Sequence, residues 1–299
     1  MNILILGGLG FLGRSCANVL QKYNNVYIVD RGDSASDNCY KYELSQIEKI
    51  ISIINQKKID CIMHFVSSLI PSSTQEQYVS DLENVYLPSV KLIEYCAQNK
   101  IKFVYLSSGG AVYGNQKEIF NERTKREPVS LYGLSKLNFE NILQFYHNTK
   151  GLEFMIIRPS NPYGFGQNIN GKQGLIAVIM GKIFRNEPIE IWGDGTAVKD
   201  YIHIDDFCFY VNALISNDNS WNDIYNIGSG VGKSVNDVIA AFRSCNIFLP
   251  EITYKTAIAS DVKRMILDCT KLQDKVDHKC IELQDGINSF WEKLNAKSN

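Results

Sequence analysis

Three glycines placed three residues apart follow the first apolar segment of this chain and limit what it can fold into. The opening sequence MNILILGGLGFLGRSC carries them at Gly7, Gly10 and Gly13. The apolar run at 3–6 is typical of a buried parallel strand, and residues 11–21 have the pattern of a helix. Glycines at a strand-to-helix turn allow a tight bend, close approach of a bound group to the backbone, and close packing of the helix on the strand.

A second apolar strand, at 26–29, ends in Asp30, about 20 residues beyond the glycine turn. A carboxylate in that place can accept hydrogen bonds from both hydroxyls of an adenosine ribose. The turn and the acid together predict a dinucleotide site that takes NAD(H), and a plain structural turn is the alternative. Arg31 and Ser34 follow the acid and could hold a 2′-phosphate, so NADP(H) stays open.

The charge balance and the cysteines bound the class of protein. The 299 residues carry 31 basic and 32 acidic side chains, which argues against nucleic acid or an anionic membrane as a partner. The eight cysteines are scattered without a CxxC pair or metal-ligand spacing, so we expect reduced thiols in a cytoplasmic protein and no bound metal. The first predicted strand starts at residue 2 and no apolar run is long enough for a membrane span, so we expect neither a signal peptide nor a transmembrane helix.

Strand and helix patterns alternate along the first half of the chain. The strands are predicted near 2–6, 25–29, 60–66, 102–107 and 153–158. This alternation predicts an α/β fold with a Rossmann-type, doubly wound parallel sheet. Within the crossover helix expected at 79–99, Pro88 predicts a kink or a local helix start. We expect a dinucleotide-binding domain at 1–160, with core elements returned from the C-terminal part, and a smaller mixed α/β substrate domain at 161–299.

A tyrosine and a lysine in SLYGLSKLNFE have the spacing of an acid–base pair. Tyr132 and Lys136 lie four residues apart, so they share one face of the predicted helix. A phenol ordinarily titrates near about 10, and a fixed ammonium together with an oxidised nicotinamide can lower that pKa. The pair could then exchange a proton with a sugar or alcohol hydroxyl. The alternative is an amphipathic helix with a packed tyrosine and a solvated lysine.

Two serines, Ser107 and Ser108, close the strand in FVYLSSGGAVYGN. Such a serine could hydrogen-bond a reacting oxygen and could equally cap a turn. With the glycine turn and the tyrosine–lysine pair, the chain resembles the extended short-chain dehydrogenase/reductase family, in its NAD-dependent epimerase/dehydratase branch acting on nucleotide-activated sugars. The resemblance covers nearly the whole chain and rests on GGLGFLG, ENVYLPSVKLIEYCAQNKIKFVYLSS, AVYG, YGLSK, RPSNPYG and IWGDGTAVKDYIHIDD.

The resemblance implies a role for each matching position. Tyr132 would exchange a proton at the sugar carbon, Lys136 would hold the nicotinamide ribose and tune the tyrosine, and Ser108 would assist. The implied cofactor contacts are Gly7, Gly10, Phe11, Leu12, Gly13, Asp30, Arg31, Glu43, Leu44, Lys136 and Pro159. The implied substrate contacts are Ser107, Asn161, Leu175 and Lys199. From the residues alone, Asn161 would be a turn residue and Lys199 a solvated lysine.

The resemblance also implies a homodimer that pairs through the helices at 81–99 and 132–148. The apolar residues Phe139, Leu143 and Phe145 lie on the second of these helices. From the residues alone, they would belong to the core of a single subunit.

One departure from the family pattern concerns the catalytic hydroxyl. The family places a serine or threonine five residues before the glycine of VYG, where this chain has Gly109. Either Ser108 reaches the substrate, or Tyr132 works without a hydroxyl partner.

A second departure concerns the charge available to a nucleotide diphosphate. An arginine is common three residues before the aspartate of AIASDVKRMILD, where this chain has Ile258. Lys199 would then supply much of that charge, with Lys263 or Arg264 as further candidates.

Three reactions share this architecture, and the residues separate them unequally. Gly110 and Ala111 stand where 4,6-dehydratases of the family carry an Asp-Glu pair, which argues against dehydration. We favour reduction of a dTDP- or UDP-bound 4-keto-6-deoxyhexose, because both departures lead away from epimerases. A 4-epimerase acting on an NDP-hexose of the UDP-glucose or UDP-GlcNAc type is the alternative. A non-catalytic dinucleotide-binding sensor or scaffold is a further alternative, against which the Tyr132/Lys136 pair argues.

Overall fold

The computed structural model describes residues 1–115, 119–171, 173–256 and 263–298. The chain divides into two compact units. The first unit comprises Met1–Gly114, Lys125–Arg158 and Cys208–Tyr225. The second unit comprises Asn115–Thr124, Pro159–Phe207 and Asn226–Asn299.

The elements alternate between strand and helix over the first half of the chain. The strands are β1 (Asn2–Leu6), β2 (Asn25–Asp30), β3 (Cys39–Lys41), β4 (Cys61–His64), β5 (Lys102–Leu106), β6 (Phe154–Pro159), β7 (Asn161–Tyr163), β8 (Ile189–Trp192), β9 (Val198–His203), β10 (Asp223–Ile227), β11 (Gly232–Ser234), β12 (Ile252–Lys255) and β13 (Arg264–Met265). The helices are α1 (Phe11–Leu20), α2 (Ile47–Lys57), α3 (Gln75–Asp81), α4 (Leu87–Asn99), α5 (Gly109–Val112), α6 (Leu131–Lys150), α7 (Leu175–Phe184), α8 (Ile204–Ile215), α9 (Val235–Ser244), α10 (Thr270–Gln273) and α11 (Leu283–Ser298).

The first unit is built on a seven-stranded sheet in the order β10-β6-β5-β4-β1-β2-β3. The pairs from β3 to β6 all run parallel. Strands β4 and β6 are buried along their whole length, as expected of a parallel sheet covered on both faces. The predicted Rossmann-type sheet is confirmed. Its strand order reverses between β1 and β4, and open α/β sheets bind ligands at the carboxyl ends of the strands at such a point.

All five predicted strands are present, with small differences at their ends. Strands β4 and β5 end slightly earlier than predicted, at His64 and Leu106. The amides of Phe65 and Ser107 still donate to the neighbouring strands, at 2.9 and 2.8 Å, before the chain turns away. The prediction omitted β3, because three half-exposed residues make no apolar run.

Helix α4, which carries Pro88, continues from α3 through a segment of π-helix. A π-helical segment at Leu82–Tyr86 joins α3 to α4, and the amide of Leu87 donates to the carbonyl of Leu82. Proline has no amide proton and its ring collides with a carbonyl one turn earlier. Pro88 therefore lies in the first turn of α4, as the local-start alternative predicted, directly after the turn that accommodates it.

The second unit has a mixed architecture, as predicted for the C-terminal part. One sheet has the order β11-β9-β13, with β7 also paired to β9, and β8 pairs with β12 in a separate two-stranded sheet. Apolar side chains of α7, α9 and α11 form its core with those of β8. Within the described ranges, no helix combines the length and the apolar character needed to cross a lipid bilayer.

Candidate active site

The glycine positions at the turn between β1 and α1 leave little space for side chains. Gly7 has a φ of +78°, which favours glycine. A Cβ on Gly13 would overlap the carbonyl oxygen of Gly7, because α1 packs directly on the end of β1. The nearest atom to a Cβ on Gly10 would be the same oxygen, 3.3 Å away. The turn therefore keeps its backbone accessible to a bound group next to the first amides of α1, an arrangement that suits phosphate.

A cavity of about 490 Å³ opens at this turn, at the carboxyl ends of β1 and β4. Six of the predicted cofactor residues line it: Gly7, Gly10, Asp30, Arg31, Glu43 and Leu44. Phe11 and Leu12 form the first turn of α1, and Gly13 is buried behind them. Pro159 is the last residue of β6 and belongs to the second unit.

Asp30 fixes the loops on either side of this cavity. Its Oδ2 accepts a hydrogen bond from the Leu9 amide and its Oδ1 accepts one from the Gly32 amide, each at 3.0 Å. Each carboxylate oxygen has a second acceptor site, which can take a ribose hydroxyl. The acid, the glycine turn and the size of the cavity fit NAD(H).

The tyrosine and lysine predicted as an acid–base pair lie on α6, which Ser130 caps by accepting a hydrogen bond from the Gly133 amide at 3.1 Å. Lys136 is buried, and its Nζ donates to the Leu106 carbonyl oxygen at the end of β5, at 2.8 Å. The same Nζ lies 5.6 Å from the centre of the Tyr132 ring. The ammonium is therefore fixed next to a half-buried phenol, as the spacing predicts.

Burial and neighbouring charges act on this pair in opposite directions. Burial raises the pKa of Tyr132, and the interaction with the Ser108 side chain lowers it. Burial lowers the pKa of Lys136 to about 8, against the carboxylates of Asp81 and Glu140, which raise it. The lysine is therefore still mostly charged at neutral pH, when its cation can stabilise a phenolate.

The two predicted serines have different surroundings. Ser108 follows β5 and is the serine that interacts with Tyr132. Ser107 is buried, and its Oγ donates to Glu140 Oε1 at 2.6 Å. Because that hydroxyl has a single proton, Ser107 can offer another group only its acceptor sites.

Sequence reasoning missed the buried ion pair behind these residues. Glu140 accepts two hydrogen bonds from Arg158, from Nε at 2.9 Å and from Nη2 at 2.6 Å. Arg158 also donates to the Tyr113 hydroxyl at 2.7 Å, and neither member of the pair is exposed to solvent. Glu140 lies one helical turn after Lys136, so both side chains hold the end of β5. The sequence feature that could have indicated this ion pair is Glu140 itself, a carboxylate on the same face of the helix as Tyr132 and Lys136.

Three of the predicted substrate residues line a single cavity of about 300 Å³ in the second unit. They are Asn161, Leu175 and Lys199. The side-chain amide of Asn161 donates to the Asp200 backbone carbonyl oxygen at 2.7 Å, and this bond fixes the orientation of the Asn161 side chain. Leu175 is the first residue of α7, after Gly174 at a φ of +83°. The fourth, Ser107, lies in the first unit, and Ile258 lies outside the described residues.

The other residues that line this cavity were not among the predicted substrate contacts. Trp192 at the end of β8 lines it with more than half of its surface exposed, at 54%. Glu190 on the same strand and Tyr201 on β9 also line it. An exposed indole in a concave site can stack on a planar ring.

Comparisons with known proteins agree with this geometry. The sequence model of the NAD dependent epimerase/dehydratase family matches residues 3–228. A dTDP-4-dehydro-6-deoxyglucose reductase of Escherichia coli is 30% identical, over 99% of this chain and 98% of its own. The crystal structure of a UDP-glucose 4-epimerase of Thermotoga maritima, with UDP-glucose, is 28% identical and covers both chains completely, with a TM-score of 0.91.

A third comparison supports the fold alone. The UDP-glucose 4-epimerase of Thermus thermophilus, solved in complex with NAD, is 24% identical over 99% of each chain, with a TM-score of 0.89. The family match covers most of the chain, from the glycine turn through the tyrosine–lysine pair to β10. The resemblance seen in the sequence is confirmed, and this chain belongs to the NAD-dependent epimerase/dehydratase family.

Proposed function

We propose that this protein catalyses NAD(P)-dependent oxidoreduction at C4 of a nucleotide-activated hexose. The observation that carries the proposal is the Tyr132–Lys136 pair with Ser108, held at the end of β5 in the unit that also contains the glycine turn and Asp30. Our leading reaction is the reduction of a dTDP- or UDP-linked 4-keto-6-deoxyhexose.

The residues of this chain provide general acid–base catalysis. Asp30 and the glycine turn would hold NAD(H), which would supply or accept the hydride when bound. In reduction Tyr132 gives its phenolic proton to the C4 oxygen, and in oxidation it takes that proton back. Lys136, anchored on the Leu106 carbonyl, stabilises the phenolate that forms. Ser108 donates a hydrogen bond to the same oxygen or to the phenolate.

We propose that the second-unit cavity holds the nucleotide. The Lys199 ammonium would bind the diphosphate, and the Asn161 side chain and the first backbone amides of α7 would donate further hydrogen bonds to it. The Trp192 indole would stack on the base. Support comes from the clustering of three predicted contacts on one cavity wall. The lack of acids at Gly110 and Ala111 supports oxidoreduction without elimination of water.

A 4-epimerase is the second candidate, and the likeness to the Thermotoga maritima enzyme with UDP-glucose favours it. The likeness to the Escherichia coli reductase favours our lead. A non-catalytic sensor has no use for a buried lysine fixed beside a phenol. We also infer a cytoplasmic setting, because all eight cysteines are thiols.

Two incubations of the purified protein test the proposal. One contains a dTDP-4-keto-6-deoxyhexose with NADH or NADPH, and loss of the reduced cofactor is followed by absorbance. The other contains UDP-glucose or UDP-GlcNAc without added reductant, and the sugars are separated by chromatography. Consumption of one reduced cofactor per keto sugar supports the reductase. Interconversion of gluco and galacto sugars without cofactor loss supports the epimerase, and no reaction in either contradicts the proposal.

Replacing Asp30 by alanine should weaken NADH binding by about tenfold or more, because charged hydrogen bonds to the ribose and to the Leu9 amide are lost. NADPH binding should change less, since its 2′-phosphate offers no proton to a carboxylate. Fluorescence titration measures both affinities. Asp33→Ala is the matched control, because Asp33 is exposed and bonds only Lys41 among the described residues. Equal affinity of the Asp30 variant and the control for NADH would contradict the assigned role.

We propose that the protein is a homodimer that pairs through α4 and α6. Phe139 and Leu143 are buried in the core, as the residues alone suggested, whereas Phe145 is 54% exposed. Leu87 on α4 is exposed to the same extent, and such side chains on a helix pair suit an interface.

Changing Phe145 and Leu87 together to serine should halve the mass of the protein in solution, because the change removes apolar contacts between the two subunits. Light scattering coupled to gel filtration measures the mass. Phe248→Ser is the control, since Phe248 is 77% exposed on the second unit. A double variant that keeps a dimer mass would exclude this interface, and so would a monomeric wild type.

A further inference from the structure

Two lysines face each other across neighbouring strands in the second unit. Strands β9 and β11 run antiparallel, and their register places Lys199 directly opposite Lys233. Directly opposite residues of an antiparallel pair project from the same face of the sheet, with Cβ atoms about 5 Å apart. Both lysines are half-buried. The two lysine side chains therefore project side by side from the same face of the β9–β11 strand pair.

This shared face forms the wall of two cavities. The cavity proposed for the nucleotide includes Lys199 and Tyr201, two residues apart on one face of β9. A second cavity, of about 380 Å³, includes Tyr201 and Lys233. Tyr201 therefore lines both cavities, and each cavity is also lined by one lysine of the pair.

The register also separates Lys199 from Arg264, one of the further cations that the sequence offered. Arg264 on β13 pairs with Val198, the residue before Lys199. Side chains alternate between faces along a strand, so Arg264 projects from the face opposite to Lys199. Met265 is the β13 residue paired with Lys199 itself. Lys233 is therefore better placed than Arg264 to act together with Lys199.

A diphosphate carries several negative oxygens, so it can accept hydrogen bonds from two neighbouring ammonium groups at the same time. We propose that Lys233 is a second diphosphate-binding residue, which acts with Lys199 to hold the nucleotide-sugar diphosphate. This inference rests on the nucleotide site proposed above, and it adds the residue that distinguishes a diphosphate from a monophosphate.

Calorimetric titration of the full-length protein tests the inference with UDP, UMP and uridine, and with dTDP, dTMP and thymidine. Lys233→Gln should weaken binding of the diphosphates by about five- to tenfold, as expected of one partly exposed charged hydrogen bond. The monophosphates should lose less, and the nucleosides nothing. Lys199→Gln should weaken both nucleotides, and the double variant should lose less than the product of the single losses.

Lys279→Gln is the matched control, since Lys279 lines the second cavity but lies outside the strand ladder. Equal diphosphate affinity of Lys233→Gln, the control and the wild type would overturn the inference and leave the proposed function in place. Failure of the wild type to bind any diphosphate would overturn both. Thermal melting of each variant identifies a loss of folding, and Lys233→Arg should restore diphosphate binding.

Discussion

Changing Tyr132 to phenylalanine should lower kcat by about 100-fold or more, the loss typical of a missing general acid or base. The substitution removes the phenolic proton that the proposed mechanism exchanges, and it leaves the ring that packs beside Lys136. The glycine turn and Asp30 are untouched, so NADH should bind with unchanged affinity. The kinetic loss should therefore appear in kcat while the dinucleotide Kd stays the same.

Steady-state kinetics on the keto sugar, together with fluorescence titration of NADH, measure both quantities. Tyr95→Phe on α4 is the matched control, because it removes a phenolic hydroxyl that bonds the exposed Asn55 side chain. The control should keep wild-type turnover. If Tyr132→Phe turned over within twofold of the wild type, the proton would have to come from another group, and the proposed mechanism would be wrong.

Changing Glu140 to glutamine should lower the free energy of unfolding by about 3–5 kcal/mol, which is typical of a broken buried ion pair. The Arg158 guanidinium would keep its charge but lose the carboxylate that accepts two of its hydrogen bonds. Water cannot replace that carboxylate, because Arg158 has no exposed surface. The Ser107 hydroxyl would face a weaker acceptor in the same place. A loss of this size is a large part of the stability of an ordinary domain.

Chemical denaturation measures the change, and Glu94→Gln provides the comparison. Glu94 also pairs with a cation of α6, Lys150, at 2.8 Å, but both side chains are partly exposed. That pair should contribute much less than the buried pair, because solvent screens the charges of exposed side chains. If the two variants lost similar stability, the buried pair would not have the structural weight that its geometry indicates.

The first unit was predictable because its signals are local. The run before Gly7 is apolar because a parallel strand covered on both faces has no polar side. The glycines are required by contacts within a few residues, such as the Gly7 oxygen that excludes a Cβ at Gly13. The four-residue spacing of Tyr132 and Lys136 similarly places both on one helical face.

The features that were missed depend on contacts between distant segments. Ser107 bonds Glu140, 33 residues away, and nothing in its neighbourhood indicates that partner. The pairing of Lys199 with Lys233 depends on the register of two short strands, which sequence alone specifies weakly. The role of Trp192 could not be predicted, because the cavity that it lines forms only when distant segments of the chain come together.

The most direct test of the central claim follows the hydride itself. The protein is incubated with a dTDP-4-keto-6-deoxyhexose and NADH that carries deuterium at both C4 positions of the dihydronicotinamide, and the product sugar is examined by proton NMR. We predict deuterium at C4 of the hexose, together with stoichiometric oxidation of the cofactor. A product without deuterium at C4, or cofactor oxidised without a reduced sugar, would contradict hydride transfer at this carbon.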